Sequence, residues 1–178
     1  QIAMKQKIQI LATFIFSLIL TTSCIFMGPS IKGNGKVVEE TRKTKSFDEI
    51  KVSRGMNVYI SQGDVTKVLV KADENILDII ETKVEGNTLK VSATQNIRNA
   101  SSKKVFIILP DISKIHSTSG SNVYSETELK SKNLEISSSA GSNMKLEINA
   151  GEVEASASAG SNIKLEGIAR NIDGSASS

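Results

Sequence analysis

Three acidic residues recur at one fixed step near the end of the chain: Glu135, Glu154 and Asp173, each 19 residues after the one before. Serines follow each at the same offsets: Ser137 and Ser139, Ser156 and Ser158, Ser175 and Ser177. Carboxylates in such an array suit two kinds of chemistry. A hard cation such as calcium takes oxygen ligands from neighbouring carboxylates, which makes Glu135, Glu154 and Asp173 a candidate calcium set. Two carboxylates across a glycosidic bond are the machinery of a polysaccharide hydrolase, but evenly stepped acids do not gather into such a pair, and no cluster of Asp, Arg and Lys stands out. His116 is the sole histidine, so a Ser-His-Asp triad would have to use it. The Gly-x-Ser-x-Gly elbow that presents a nucleophilic serine is absent. One histidine and one cysteine make no zinc-ligand set, and no glycine-rich loop opening a helix is present to hold phosphate. No catalytic residues and no cofactor are expected. A polysaccharide-active enzyme is the weakest of the functional readings.

The sole cysteine, Cys24, has a different chemistry written around it. Lys5 and Lys7 precede an apolar run, Ile8 to Leu20, and small polar residues "TTS" lead from it to Cys24. The run is the length of a signal-peptide core and too short to cross a bilayer comfortably. A lone cysteine cannot form an internal disulfide framework. The arrangement resembles a bacterial lipoprotein signal, which implies cleavage before Cys24 and a lipid on that residue. Acyl chains contribute about 0.8 kcal/mol per buried CH₂ to membrane attachment. Residues 1–23 are then a signal peptide and 24–46 a polar tether rich in glycine and charge. Removing Lys5 and Lys7 leaves 20 basic against 19 acidic residues, so no charge surplus favours nucleic acid. Aromatic residues are only 4% of the chain, which leaves few stacking platforms for bases or sugars.

The elements that would position the acids have a period of two, the signature of strands. Ile50 and Val52, then Val58 and Ile60, then Leu89 and Val91, then Val105, Ile107 and Leu109 each share one face. Residues 74–84 fit a short helical turn or a strand, Gly86-Asn87 signals a hairpin, and residues 96–104 read as an exposed loop. Beyond Ser113 a unit repeats. Gly120-Ser121-Asn122, Gly141-Ser142-Asn143 and Gly160-Ser161-Asn162 lie 21 and 19 residues apart, and Leu134, Val153 and Ile172 open a following strand at a step of 19. Strands at that period, with no helical pattern, predict an all-β fold, a parallel β-helix (β-solenoid) with coils of about 19–21 residues over 47–178. Residues 64–104 would be an excursion from it. Gly120, Asn122, Gly141, Asn143, Gly160 and Asn162 are then turn residues, since glycine and asparagine tolerate positive φ. Stacked asparagines would also bond amide to amide along the axis. An earlier echo carries the same frame: Ile50, Val52, Gly55, Asn57 and Val58 match Ile115, Ser117, Gly120, Asn122 and Val123. The chain stops where the next Gly-Ser-Asn turn is due, so a truncated C-terminus is expected.

"FDEIKVSRGMNVYISQGD", "VEGNTLKVSA", "VFIILPDISKIHSTSGSNV" and the Gly-Ser-Asn repeats together resemble the head GIN domain family, over Phe47 to Ser178. Its members are bacterial envelope proteins labelled autotransporter adhesins. The resemblance implies a parallel β-helix and brings no catalytic residues with it. The resulting expectation is a non-catalytic, lipid-anchored protein of the bacterial cell envelope, at the outer membrane. It would bind glycan or protein through the flat polar face of Glu135, Ser137, Ser139, Glu154, Ser156, Ser158, Asp173, Ser175 and Ser177. The alternative is a structural element of the envelope that associates with itself through an open strand edge.

Overall fold

The computed structural model describes residues 29–178; the expectations placed on the signal peptide and on Cys24 lie outside the described residues. Period-two alternation yields fourteen strands. The first half holds β1 (Ser30–Lys32), β2 (Val37–Arg42), β3 (Glu49–Val52), β4 (Asn57–Gln62), β5 (Lys67–Asp73), β6 (Ile80–Glu85), β7 (Thr88–Ala93), β8 (Asn96–Arg98) and β9 (Lys103–Leu109). The second holds β10 (Lys114–Ser117), β11 (Asn122–Ser125), β12 (Leu129–Ser138), β13 (Asn143–Ser158) and β14 (Asn162–Ser177). β1 and β8 pair with each other, and the other twelve strands form one mixed sheet.

The sheet doubles back at β13. The first residues of β13 pair with β11, and its later part pairs with β12. From β11 the order runs through β4, β9 and β5 to β2; from β12 it runs through β10, β3 and β7 to β6. At the far end the chain bridges these two arms directly, since β5 leads through a 3-10 helix, Glu74–Ile79, into β6. Arg42 at the end of β2 donates from Nη2 to the Leu77 carbonyl of that helix, at 2.9 Å. The sheet is therefore barrel-like and nearly closed. Inward side chains from both arms make one core, with Val52, Val58, Val70, Leu89, Val105, Ile115 and Val123 all fully buried. No helix among the described residues is long and apolar enough to cross a membrane.

This architecture corrects the expected parallel β-helix. A β-helix needs each coil to advance in one direction, whereas β2 with β5, β5 with β9, and β6 with β7 are antiparallel. Residues 64–104 are not an excursion but part of the sheet: Val68, Val70 and Ala72 of β5 are fully buried. The hairpin signal holds, with Gly86 at φ 61° turning β6 into β7. The ambiguous stretch resolves into both options, the 3-10 helix and then β6. Order also starts before Phe47. Residues 37–42, part of the expected tether, pair with β5 over six positions. Asp73 fastens this segment. Its carboxylate, fully buried, accepts the backbone N–H of Gly35 (2.9 Å), Ser101 (3.2 Å) and Ser102 (2.8 Å).

Within the mixed sheet the repeat keeps its register. Glu135 sits opposite Glu154 and Glu154 opposite Asp173. The echo does the same, with Ile115 opposite Ile50 and Asn122 opposite Asn57. The turns use the residues differently from expectation. Positive φ falls on the glycine and the residue before it: Ser119 and Gly120, Ala140 and Gly141, Ala159 and Gly160. The asparagines are instead the first strand residues, and their amides form a ladder. Nδ2 of Asn122 donates to Asn57 Oδ1 (2.9 Å), Asn143 to Asn122 (3.1 Å) and Asn162 to Asn143 (3.2 Å).

Candidate outward face

Side chains that alternate with the buried ones point outward. These are the odd-numbered residues of β3, β6 and the later part of β12, and the even-numbered residues of β7, β10 and the later part of β13. Pairing brings the odd-numbered residues at the end of β14 into line with them. The result is three rows across the strands. The first row runs Glu85, Thr88, Glu49, Lys114, Glu135, Glu154, Asp173. The second runs Lys83, Lys90, Lys51, His116, Ser137, Ser156, Ser175. The third holds Ser92, Ser53, Thr118, Ser139, Ser158 and Ser177, with Ser53 Oγ bonded to Ser92 Oγ (3.0 Å) and Ser139 Oγ to Thr118 Oγ1 (3.0 Å). All nine residues of the sequence-derived face thus lie on one surface. Strand spacing of about 4.8 Å sets the step between columns.

The acid row has a cation that the sequence did not reveal. Lys114 Nζ lies 2.6 Å from Glu135 Oε1, although the two are joined only through strand pairing. The hydrogen bond to Glu135 raises the Lys114 pKa, and the fields of Glu49 and Glu154 add to it. Glu154 and Asp173 make no ion pair among the described residues and are exposed. A cavity of about 610 Å³ at this end is lined by Lys114, Glu135, Glu152, Glu154 and Asp173. The calcium set fares less well. Among the described residues no three His, Cys, Asp or Glu come together as a metal site, because a stacked column keeps its carboxylates one strand apart.

His116 is half-buried in the second row, with Nδ1 2.6 Å from Ser137 Oγ. Burial lowers its pKa, as do Lys51 and Lys114, while Glu135 opposes them. The pair resembles a base and its hydroxyl nucleophile, but no carboxylate among the described residues hydrogen-bonds the ring to orient it. On the opposite surface, Phe106, Tyr59 and Tyr124 stack at centroid distances of 5.0 and 5.3 Å. These rings cover one another's faces, so they offer a sugar little stacking surface.

Solved structures share this fold. A crystal structure described as a "putative adhesin" from Bacteroides fragilis NCTC 9343 is 24% identical, with a TM-score of 0.74, covering 82% of this chain and 71% of that one. A "putative lipid binding protein" from Parabacteroides distasonis ATCC 8503 is 20% identical, with a TM-score of 0.75, over 83% of this chain and 65% of that one. A "putative adhesin" from Parabacteroides merdae ATCC 43184 is 16% identical, with a TM-score of 0.69, over 83% and 61%. The chain therefore spans about two thirds of the length of these proteins. No curated protein matches it. Residues 46–178 match the family described as "Putative auto-transporter adhesin, head GIN domain", and the chain belongs to that family.

Proposed function

We propose that the protein is a non-catalytic component of the bacterial cell envelope, held at the outer membrane by a lipid on Cys24, that binds glycan or protein through the three-row outward face. The observation that carries this reading is the in-register array of hydroxyls and carboxylates over Glu135 to Ser139, Glu154 to Ser158 and Asp173 to Ser177. Backbone hydrogen bonds fix every column, so the face is ordered before a partner arrives and loses little entropy on binding. The adhesin description of the family and of two of the neighbouring structures accords with such a role. A second reading has its own observation. Among the described residues β14 pairs with β13 alone, and Ile168 and Ile172 are 67% and 61% exposed. An unpaired edge of this kind suits assembly with a further strand.

The test displays the full chain on bacterial cells and screens glycans and envelope proteins for capture. Ser156→Trp places a bulky ring in the middle of the face and is expected to abolish capture. Lys145→Trp, on the opposite surface, is expected to leave it intact. Capture that survives Ser156→Trp refutes the assignment to this face. A Cys24→Ala variant that stays with the membrane fraction refutes the anchor.

A further inference from the structure

The second row carries a charge pattern beyond what hydroxyls and acids alone would do. Across four adjacent strands it reads Lys83, Lys90, Lys51, His116. Like charges opposite each other in neighbouring strands are destabilising unless something offsets them. Lys83 and Lys90 have such an offset, since both pair with Glu85. Lys51 has none: it is exposed and makes no ion pair among the described residues. The acids that could have served it are engaged elsewhere, Glu49 accepting from Thr88 Oγ1 (2.6 Å) and Glu135 from Lys114. A cavity of about 250 Å³ opens beside Lys51 and His116, lined also by Ile50, Thr88, Lys114 and Glu49, whose carboxylate is held by Thr88. The row then continues as hydroxyls, Ser137, Ser156 and Ser175.

We propose that this row is a track for a linear acidic polysaccharide, whose carboxylates sit on Lys51 and His116 and whose hydroxyls meet Ser137 and Ser156. The inference rests on the reading of this face as a glycan-binding surface and names the class of glycan. Charge complementarity selects the occupant. The cations form a single file, flanked by the acids of the first row on one side and by neutral hydroxyls on the other. A planar anionic membrane laid on the face would meet Glu135, Glu154 and Asp173 as well, and would be repelled by them. A single chain lying along the file avoids those acids. The step between strands, about 4.8 Å, is close to the rise of one sugar in an extended β-linked pyranose chain, so a chain laid along the file advances by about one sugar per strand.

His116 makes the track sensitive to pH. Opposite it on β3 is Lys51, with Glu49 on the diagonal; on β12 are Ser137 opposite and Glu135 on the diagonal; on its own strand is Lys114. Burial, and after it Lys51 and Lys114, lower the imidazole pKa, and a carboxylate arriving on the track favours the protonated form. Binding therefore strengthens as pH falls.

The test measures binding of the purified protein to sodium polymannuronate, to the neutral β-linked polymer hydroxyethyl cellulose, and to vesicles of phosphatidylglycerol and phosphatidylcholine. Binding to polymannuronate is expected, weakened at least about tenfold by Lys51→Glu, as for other charge reversals against an anionic partner. It should tighten between about pH 7.5 and 5.5, and that gain should vanish in His116→Gln. Absence of polymannuronate binding, indifference to Lys51→Glu, or tighter Lys51-dependent binding to the vesicles overturns the proposal. Neutral-polymer binding that Ser156→Trp abolishes would sink the acidic track while leaving the face reading intact. Polymer binding that ignores Ser156→Trp would sink both.

Discussion

From Lys114 to Ser177 every fixture of the fold occurs several times. The Gly turn, the inward serine, the asparagine amide and the outward row each recur at every unit, and strand pairing and the asparagine amides tie each unit to the next. From Ser30 to Leu109 the decisive fixtures occur once. A single buried carboxylate, Asp73, gathers three backbone donors from two loops, and a single 3-10 helix joins the arms of the sheet. A repeated fixture can lose one copy and suffer only locally, whereas the loss of a singular one removes support from distant strands together.

Asp73→Ala is where this contrast should be largest. It leaves three backbone N–H groups without their acceptor, which should cost about 3–5 kcal/mol, read as a drop in urea midpoint. Gly33→Ala should act on the same clasp, since its Cβ would stand 2.1 Å from Asp73 Oδ2 and 2.7 Å from the Ala100 Cα. The pH dependence follows from the same carboxylate. Burial raises its pKa, but the hydrogen bonds from Gly35, Ser102 and Ser101 outweigh that and lower it below the ordinary 3.8. A lowered folded-state pKa means the stabilisation is complete above the unfolded value and fades as pH falls through the folded one. Urea titrations at neutral and strongly acid pH should therefore show an acid-linked loss that Asp73→Asn lacks.

The inward serines sharpen the contrast inside the repeat. Ser142 Oγ lies 2.9 Å from the Ser117 carbonyl, 2.7 Å from that of Ser139 and 2.8 Å from Ser138 Oγ. Ser121 is its counterpart one unit earlier, and its Oγ is buried with no hydrogen-bond partner among the described residues. Ser142→Ala should cost about 1–3 kcal/mol, and Ser121→Ala should be neutral or stabilising. Equal costs in thermal or urea unfolding would show that the hydroxyls contribute through packing alone. The amide ladder gives a smaller version: Asn122→Ala breaks two bonds and Asn162→Ala one, for about 1 and 0.5 kcal/mol. Smallest of all, Ala140→Gly relieves a side chain held at φ 49° and should raise stability by up to about 1 kcal/mol.

What the sequence reveals follows the same division. A step of 19 residues states its own register, so spacing alone places Glu135, Glu154 and Asp173 in one column. The echo of Ile50 to Val58 in Ile115 to Val123 is a register statement too, spelled out over 65 residues. It also aligns Lys51 with His116, the pair at the heart of the cationic row, although attention to the apolar positions alone passes over it. The antiparallel strands have no such repeat. β5, β7 and β9 show alternation, which gives strands but not their direction. β2 shows charge and little apolar content because it lies at one end of the sheet path. The contact of Lys114 with Glu135 follows the 21-residue step from Gly120 to Gly141, which attention to the 19-residue step of the acids passes over. Propensity alone assigns positive φ to asparagine; in the fold a serine or alanine takes it, because the asparagine side chain is needed in strand geometry for the ladder.

The most direct test of the binding face is photo-crosslinking in living cells. A photoreactive residue replaces Ser156, in the middle of the three rows, or Lys145, on the opposite surface, in the full chain. Discrete adducts from position 156 and none from 145 are the predicted result. Adducts confined to 145, or the same adducts from both, would contradict the assignment of the partner to this face.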